Sequence, residues 1–488
     1  MSDSLKEKAI AGMLWSSVGR IGTIFINFLS NLILARLLMP DDFGCIAMLY
    51  VFIAVSSIFV NGGLAMALIQ RKNPTHIDYT TAFYWNIVVS LIFYLLLFFS
   101  APAIARFYEM PLLSAVLRVQ SLTMLIQSFS IVHTAQMQKQ LRFRELSIQN
   151  LTGAIVGTVI GIVMAFCGFG VWSLVASAVS STIVMVLMIW HMNTWRPTWG
   201  FSWQSLKSLF SFGVLMLFSS LVETVYTNLQ RLIIGKMFTP RDLGYYNQAE
   251  KLEEVPSTTL STIVNEVSFP VFSQLQDEHD RLILALKKNI KAVAFLNFPI
   301  MTLLIVIAHP LITFLYSTKW EPSVPYFQVL CLYGLLFTLT TLNSSIVKSL
   351  GRGLLFFILQ FATRLMGVGM IVVGVKTGGI MGMMWAIAFF GLVCYIINTI
   401  VVGKLVGYGF FRQFIDCFPC LLTTALAFGS AWLCGRLWNI NEYGLMLVQI
   451  ALFTIVYLSV SYLFKLEALN IYRDIVKSKW NHSKKTSK

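Results

Sequence analysis

The stretch LARLLMPDDFG at residues 34–44 has a counterpart 200 residues later, IGKMFTPRDLG at residues 234–244. In each stretch a basic residue precedes Pro by four positions, and Asp and Gly follow that Pro at two and four positions. Both stretches come at the end of a long apolar run. Because the shared residues are Pro, Asp and Gly rather than Leu, the pattern indicates an internal repeat.

Weaker matches extend this repeat. The segment 101–108 resembles 309–316 at an offset of 208, and the glycines at 168 and 170 resemble those at 378 and 379. We therefore predict two copies of a six-helix unit, followed by two further helices. Because six is even, both copies have the same membrane orientation, which is a parallel repeat. The predicted domains are an N-lobe at 1–200, a C-lobe at 201–405, two appended helices at 406–465 and a basic cytoplasmic tail at 466–488.

Composition assigns the chain to the membrane. Of its 488 residues 57% are hydrophobic and only 12% are charged, against about 25% charged in a soluble domain. A transmembrane helix needs about 20 apolar residues, and we count fourteen such runs. These runs are long and continuous, such as 445–464, whereas a β-barrel has short alternating strands. The predicted fold class is an all-α polytopic membrane protein, and soluble enzymes, disulfide scaffolds and disordered chains are excluded.

The distribution of Lys and Arg predicts the topology. With the amino terminus inside, 24 of the 36 Lys and Arg residues fall in cytoplasmic segments and 7 in outer loops. This asymmetry follows the positive-inside rule and favours an N-in, C-in orientation. It also accounts for most of the net charge of +15, so we expect no nucleic-acid partner.

Catalytic motifs are missing from the sequence. The six His residues are scattered, and no nucleophile–base set, phosphate-binding glycine loop or metal-ligand spacing stands out. We expect no enzyme activity, no metal and no cofactor. The alternative is a membrane polymerase or ligase, but the predicted outer loops are too short to fold into a catalytic domain.

Several short motifs, in order and spacing, resemble one family of transporters. They are Gly12-Met-Leu-Trp15, Asp42-Phe-Gly44, the segment from Asn61-Gly-Gly63 to Gln70-Arg71-Lys72, Thr81-Ala-Phe-Tyr84-Trp85-Asn86, Gln138-Lys139-Gln-Leu-Arg142-Phe, and Phe269-Pro270-Val-Phe-Ser-Gln-Leu-Gln276. Over about residues 1–405 the chain is similar to the polysaccharide transporters of the MOP flippase superfamily, the Wzx-type flippases of the colanic-acid-exporter kind.

This resemblance implies a two-lobed bundle that works by alternating access. It implies movement of an undecaprenyl-diphosphate-linked oligosaccharide across a bacterial inner membrane, for capsule, exopolysaccharide or O-antigen (lipopolysaccharide) assembly. The expected partners are that substrate, membrane lipids and a polysaccharide polymerase or export machinery. The alternative is an ion-coupled multidrug or metabolite antiporter of the same superfamily. Drug-extruding relatives tend to carry an acid on the first span, where this chain has Arg20 and no acid.

Cations within the spans are candidate binding groups for the diphosphate, because guanidinium binds phosphate through two parallel hydrogen bonds. Arg20, Arg231 and Arg364 are the main candidates, with Lys251 a weaker one. Asn27 and Asn31 share a helix face with Arg20 and are assigned to the same predicted cavity. The alternative for each Arg is a structural ion pair with an acid.

Acids within the spans are candidates for ion coupling. Glu250, Glu253 and Glu254 lie close together on the eighth span, and Glu223 lies on the seventh. Charged groups are costly in hydrocarbon and often mark proton or ion pathways, so we assign these four to possible proton or sodium coupling. The alternatives are a salt-bridged network with Lys251, or a span that begins later and leaves the cluster at the outer interface.

Overall fold

The computed structural model describes residues 3–61, 63–438 and 441–469. Within these ranges the regular secondary structure is entirely helical, so the predicted fold class is confirmed. Most of the predicted tail at 466–488 lies outside the described residues.

Two of the eight helices described in the first half are short, with 7 and 9 residues. Their bounds are α1 Asp3–Leu37, α2 Pro40–Asn61, α3 Leu64–Gln70, α4 His76–Phe107, α5 Leu112–Gln120, α6 Leu122–Lys139, α7 Phe143–Phe166 and α8 Val171–Met192.

The second half has longer helices and one short 3-10 turn at Thr318–Ser323. The α-helices are α9 Trp203–Met237, α10 Pro240–Gln274, α11 His279–Val306, α12 Ala308–Tyr316, α13 Val324–Ser349, α14 Gly353–Val406, α15 Phe410–Leu437 and α16 Glu442–Leu463.

Eleven helical stretches of the described chain are long and apolar enough to cross a membrane. The chain is therefore a multi-pass membrane protein. Helix α14 counts once among the eleven, although its 54 residues contain a break at Gly378 and Gly379. Gly379 has a φ of 60°, a left-handed conformation that glycine adopts without a steric penalty. The break falls at the two glycines that the repeat pairs with Gly168 and Gly170.

Carboxylates cap the helices that follow the two repeated turns. The backbone N–H of Met39 donates to Asp42 (3.0 Å), and that of Thr239 donates to Asp242 (3.2 Å). Such bonds satisfy backbone donors that have no partner inside the helix. The repeated Asp residues therefore help to start α2 and α10.

The chain divides into two compact units, Met1–Asn247 and Gln248–Lys488. The division falls inside α10, whereas the predicted lobe boundary lies at residue 200, so the two-lobe assignment stays a prediction. In the first unit α9 packs against α2, α3 and α4. In the second unit buried side chains of α11, α13, α15 and α16 form one core.

The first unit also contains a reciprocal contact between the two repeated turns. A β-carbon on Gly44 would collide with the carbonyl group of Pro240, and one on Gly244 would collide with the carbonyl group of Pro40. Each turn therefore places its glycine against the proline of the other. This close backbone approach explains why glycine occupies both positions.

Candidate functional site

A polar cavity of about 680 Å³ lies in the first unit, among α1, α6, α7 and α8. Helices α1 and α7 come close there because Gly19 packs directly against Ser147. The Ser147 hydroxyl donates to the backbone oxygen of Trp15 (2.8 Å), which fixes the two helices together. Polar side chains from all four helices line the cavity, among them Arg20, Thr23, Gln127, Thr134, Gln138, Asn150 and Thr182.

Of the described residues on the wall of this cavity, Arg20 is the one that carries a charge. Its side chain is exposed, and within the described residues no carboxylate forms an ion pair with it. The structure therefore leaves the guanidinium available to an anionic ligand. Phosphate binding by Arg20 stays a prediction.

A second cavity of about 430 Å³ adjoins the first. Its walls include Asn61 at the end of α2, Gly63 before α3, and Ser220 of α9. Gly63 has a φ of 69°, so the chain breaks between α2 and α3 beside the cavity. Irregular backbone at membrane depth is tolerated where it lines a cavity, and this break fits that rule.

One face of α6 forms a wall shared by the two cavities. Its residues are Gln127, Ser130, Thr134 and Gln138, and we call this set the α6 ridge. Sequence reasoning missed it, although the signal was present: intervals of three and four residues put all four side chains on one helix face. Neutral polar residues stand out less than charges in an apolar run.

The structure does not bring every predicted residue of α1 and α9 to these cavities. Asn27 is exposed and Asn31 half-buried, and neither lines the two cavities. Arg231 donates to the side-chain oxygen of Asn228 (2.8 Å) and lies 5.2 Å from the ring centroid of Tyr50. Arg231 thus has structural contacts within its own unit.

Glu223, the acid predicted on the seventh span, lies on α9 with an exposed side chain. It does not line either cavity.

The acids of α10 lie in different environments. Glu253 is only 7% exposed and accepts a hydrogen bond from the Ser257 hydroxyl. It fits against α13 because Gly334 has no side chain there to displace its carboxylate. Lys251 and Glu254 are exposed and Glu250 is half-buried. The predicted acid cluster therefore separates into one buried acid and two more accessible ones.

Arg364 lies on α14 in the second unit, where it is half-buried. Among the described residues no group of three His, Cys, Asp or Glu side chains is placed to hold a metal ion. Of the predicted cations, Arg20 alone lies on the two cavities described above.

A charged cluster that sequence reasoning missed joins α11, α15 and the segment after α16. Lys291 contacts Asp416 (3.0 Å) and Glu467 (2.6 Å), and Lys287 contacts Asp416 (3.1 Å). The Lys291 ammonium lowers the pKa of the Glu467 carboxyl, because it donates a hydrogen bond to the ionised form. Nothing in the sequence pattern links residue 291 to residue 467.

Comparison with known proteins gives a consistent picture. A family model described as "Polysaccharide biosynthesis protein" matches residues 33–325. The lipopolysaccharide biosynthesis protein WzxC of Escherichia coli (strain K12) is 25% identical over 414 residues, which is 84% of each chain. The teichuronic acid biosynthesis protein TuaB of Bacillus subtilis (strain 168) is 26% identical over 432 residues, which is 87% of this chain and 89% of that one.

Solved structures show the same fold. The lipid II flippase MurJ, in an inward closed conformation, matches with a TM-score of 0.75 at 15% identity, over 95% of this chain and 100% of that one. An inward-facing multidrug resistance transporter of the MATE family matches with a TM-score of 0.60 at 17% identity, over 81% and 98%. At these identities the likeness concerns the fold alone.

Proposed function

Because the chain belongs to the polysaccharide biosynthesis protein family, we propose that it is a flippase for a lipid-linked oligosaccharide. The substrate is an oligosaccharide on undecaprenyl diphosphate, which the protein moves from the cytoplasmic to the periplasmic face of a bacterial inner membrane. This step serves the assembly of a capsule, an exopolysaccharide or O-antigen. Relatives named for lipopolysaccharide and teichuronic acid biosynthesis support this assignment over most of the chain.

The observation that carries the proposal is the cavity around Arg20. A lipid-linked oligosaccharide has an anionic diphosphate, a polar glycan and an apolar tail. The cavity offers one permanent cation and a wall of hydroxyl and amide groups. We propose that Arg20 binds the diphosphate, because guanidinium stays charged and matches phosphate oxygens in pairs. The tail stays in lipid.

The antiporter alternative has less support. The relatives named above carry names from polysaccharide assembly, and the likeness to MATE transporters is one of fold. Arg20 on α1 also suits an anionic substrate better than a cationic drug. Movement without chemical change of the substrate is part of the proposal, since flippases are transporters and not enzymes.

Ion coupling is assigned to Glu253. It is the buried member of the four predicted acids, and a carboxyl that changes its charge inside a packed helix interface changes the free energy of that interface. The ionisable and polar groups near it are Glu250 and Glu254 on its own helix, Ser257, and Cys331 on α13. An N-in, C-in topology and contact with a polymerase or export complex complete the proposal.

The test is the sidedness of the lipid-linked glycan. Deleting the gene in its host, with later export steps blocked, should trap the glycan on the cytoplasmic face. A membrane-impermeant glycosidase applied to spheroplasts reports the position. The wild-type gene should restore access, Arg20→Ala should not, and Arg20→Lys should restore it in part. Arg352→Ala, an exposed arginine before α14, is the matched control and should behave as wild type.

Two results would contradict the proposal in different ways. Full rescue by Arg20→Ala would keep the flippase and remove Arg20 from the binding site. Normal access to the glycan in the deletion strain, with no related gene taking over, would exclude flippase activity and favour the antiporter.

A further inference from the structure

The α6 ridge presents unused hydrogen-bonding groups to both cavities. The side-chain amides of Gln127 and Gln138 and the hydroxyl of Thr134 make no hydrogen bond with any described residue. Ser130 donates to the backbone oxygen of Gln127 (2.7 Å), which leaves its oxygen free to accept. These four groups therefore supply donors and acceptors that the fold itself does not consume.

Polar residues on other faces of α6 contrast with the ridge. Gln136 accepts a hydrogen bond from Asn193 (2.9 Å), and Ser128 donates to the backbone oxygen of Leu125 (2.7 Å). The Gln136 bond ties α6 to the segment after α8, and the Ser128 bond lies within α6 itself. The side chains of Gln136 and Ser128 are thus engaged within the protein, whereas the amides of Gln127 and Gln138 and the Thr134 hydroxyl line the cavities and, within the described chain, stay unengaged.

The ridge has the length and chemistry of a sugar-binding surface. From Gln127 to Gln138 it runs eleven residues along the helix, about 16 Å at the helical rise. An amide offers a donor and an acceptor side by side, which matches two neighbouring sugar hydroxyls. Asn150 of α7 lines the first cavity as well, and it makes no hydrogen bond with any described residue.

The charge of the walls restricts which sugars fit. Among the described residues that line the two cavities, Arg20 is the only charged one. A sugar carboxylate on the ridge would lose water without gaining a cation, which is costly in a partly closed cavity. Hydroxyl and acetamido groups meet the neutral ridge at no such cost.

We propose that the α6 ridge is a binding site for uncharged sugar residues, those next to the diphosphate, and that it selects them over uronic acids. This inference rests on the proposed function, with Arg20 as the diphosphate site. Sites built to hydrogen-bond hydroxyl groups discriminate strongly against ligands that leave those groups unpaired. The ridge would then set glycan specificity, while Arg20 recognises the part that all such substrates share.

The experiment measures binding of three probes to the full-length protein in lipid nanodiscs. The probes are undecaprenyl diphosphate, undecaprenyl-diphosphate-glucose and undecaprenyl-diphosphate-glucuronic acid. For the wild type, the glucose residue should tighten binding by about tenfold over the bare diphosphate, the effect of one or two net hydrogen bonds. Glucuronic acid should give no such gain.

Variants separate the ridge from the diphosphate site. The double variant Gln127→Ala/Gln138→Ala should lose the gain from glucose and keep its affinity for undecaprenyl diphosphate. Arg20→Ala should weaken the binding of all three probes by the same factor. Gln140→Ala, on an exposed glutamine that caps α6 and lies outside both cavities, is the matched control and should bind as wild type. Unchanged unfolding temperatures show that each variant is folded.

A charge-introducing variant keeps the inference testable if the alanine variants fold poorly. Gln138→Lys adds a cation to the ridge and should shift the preference toward the glucuronic acid probe by about tenfold. Equal affinity of the wild type for the two sugar probes would overturn the inference. So would a double variant whose affinity still rises about tenfold when glucose is attached to the diphosphate. Neither result would contradict the proposed flippase function. Failure of the wild type to bind undecaprenyl diphosphate would overturn the proposed function as well.

Discussion

Arg241 forms an ion pair with Asp41, with 2.9 Å between the guanidinium Nε and the carboxylate Oδ2. The two residues occupy the same position of the repeat, directly after Pro40 and Pro240. Equivalent positions meet when a contact has two-fold character, and here they carry opposite charges. Pro40 and Pro240, the residues directly before the pair, are the ones on which Gly244 and Gly44 pack.

Exchanging the charges of this pair tests its role. Asp41→Arg places two cations together at the turn, and Arg241→Asp places two anions together, so each should lower glycan export. The double variant Asp41→Arg/Arg241→Asp restores the attraction and should recover most of the export. Both side chains are partly exposed, so simple truncation of either to Ala should have a small effect. Export is measured by glycosidase access in spheroplasts. The prediction is contradicted if the double variant exports no more glycan than the less active of the two single variants.

Adding a methyl group to either turn should loosen the contact. In Gly44→Ala the new β-carbon collides with backbone of Pro240, which cannot move aside as a side chain does. We expect a loss of about 1–3 kcal/mol in the free energy of unfolding, typical of overpacking. Thermal unfolding in detergent measures the change. The control is Gly353→Ala, where a β-carbon meets open space, and an equal loss there would contradict the explanation.

Ion coupling through Glu253 predicts a selective phenotype. Glu253→Gln keeps the size of the side chain and its acceptor for the Ser257 hydroxyl, so the fold should survive. The variant cannot ionise, and transport in proteoliposomes should lose its dependence on an imposed proton gradient. Glu266→Gln changes an exposed acid on the same helix and should leave that dependence intact. Gradient-dependent transport by Glu253→Gln would assign coupling elsewhere.

The pair formed by Glu467 and Lys291 should contribute stability that depends on pH. Because Lys291 lowers the pKa of the Glu467 carboxyl, the folded protein favours the ionised form. The contribution is therefore present above the ordinary pKa of this carboxyl and disappears as pH falls through the lowered value. Glu467 is 72% exposed, so the effect should stay below about 1 kcal/mol.

The measurement compares the unfolding temperature of Glu467→Gln with that of the wild type at pH 7 and pH 3. The variant should be less stable at pH 7, and the difference should be smaller at pH 3. A difference that is equal at both values would assign the effect to packing and not to charge.

The sequence by itself determined the all-α membrane fold, the approximate spans and the repeat of the Pro-Asp-Gly turn. Long apolar runs and helix-capping residues act locally, so they can be read without knowing the partners of each helix. It also placed Arg20 among the candidate cations, although it could not separate Arg20 from Arg231. The ridge on α6 was readable in principle from its spacing.

The tertiary structure alone decided which polar groups share a cavity and which are used by the fold. Arg231 contacts Asn228 and Tyr50, Glu253 is buried against Gly334, and Arg20 faces a cavity. In an apolar chain of this kind, helices pack through small residues and side-chain shape. These contacts join positions tens to hundreds of residues apart, so local periodicity shows that a face is polar but not what it meets.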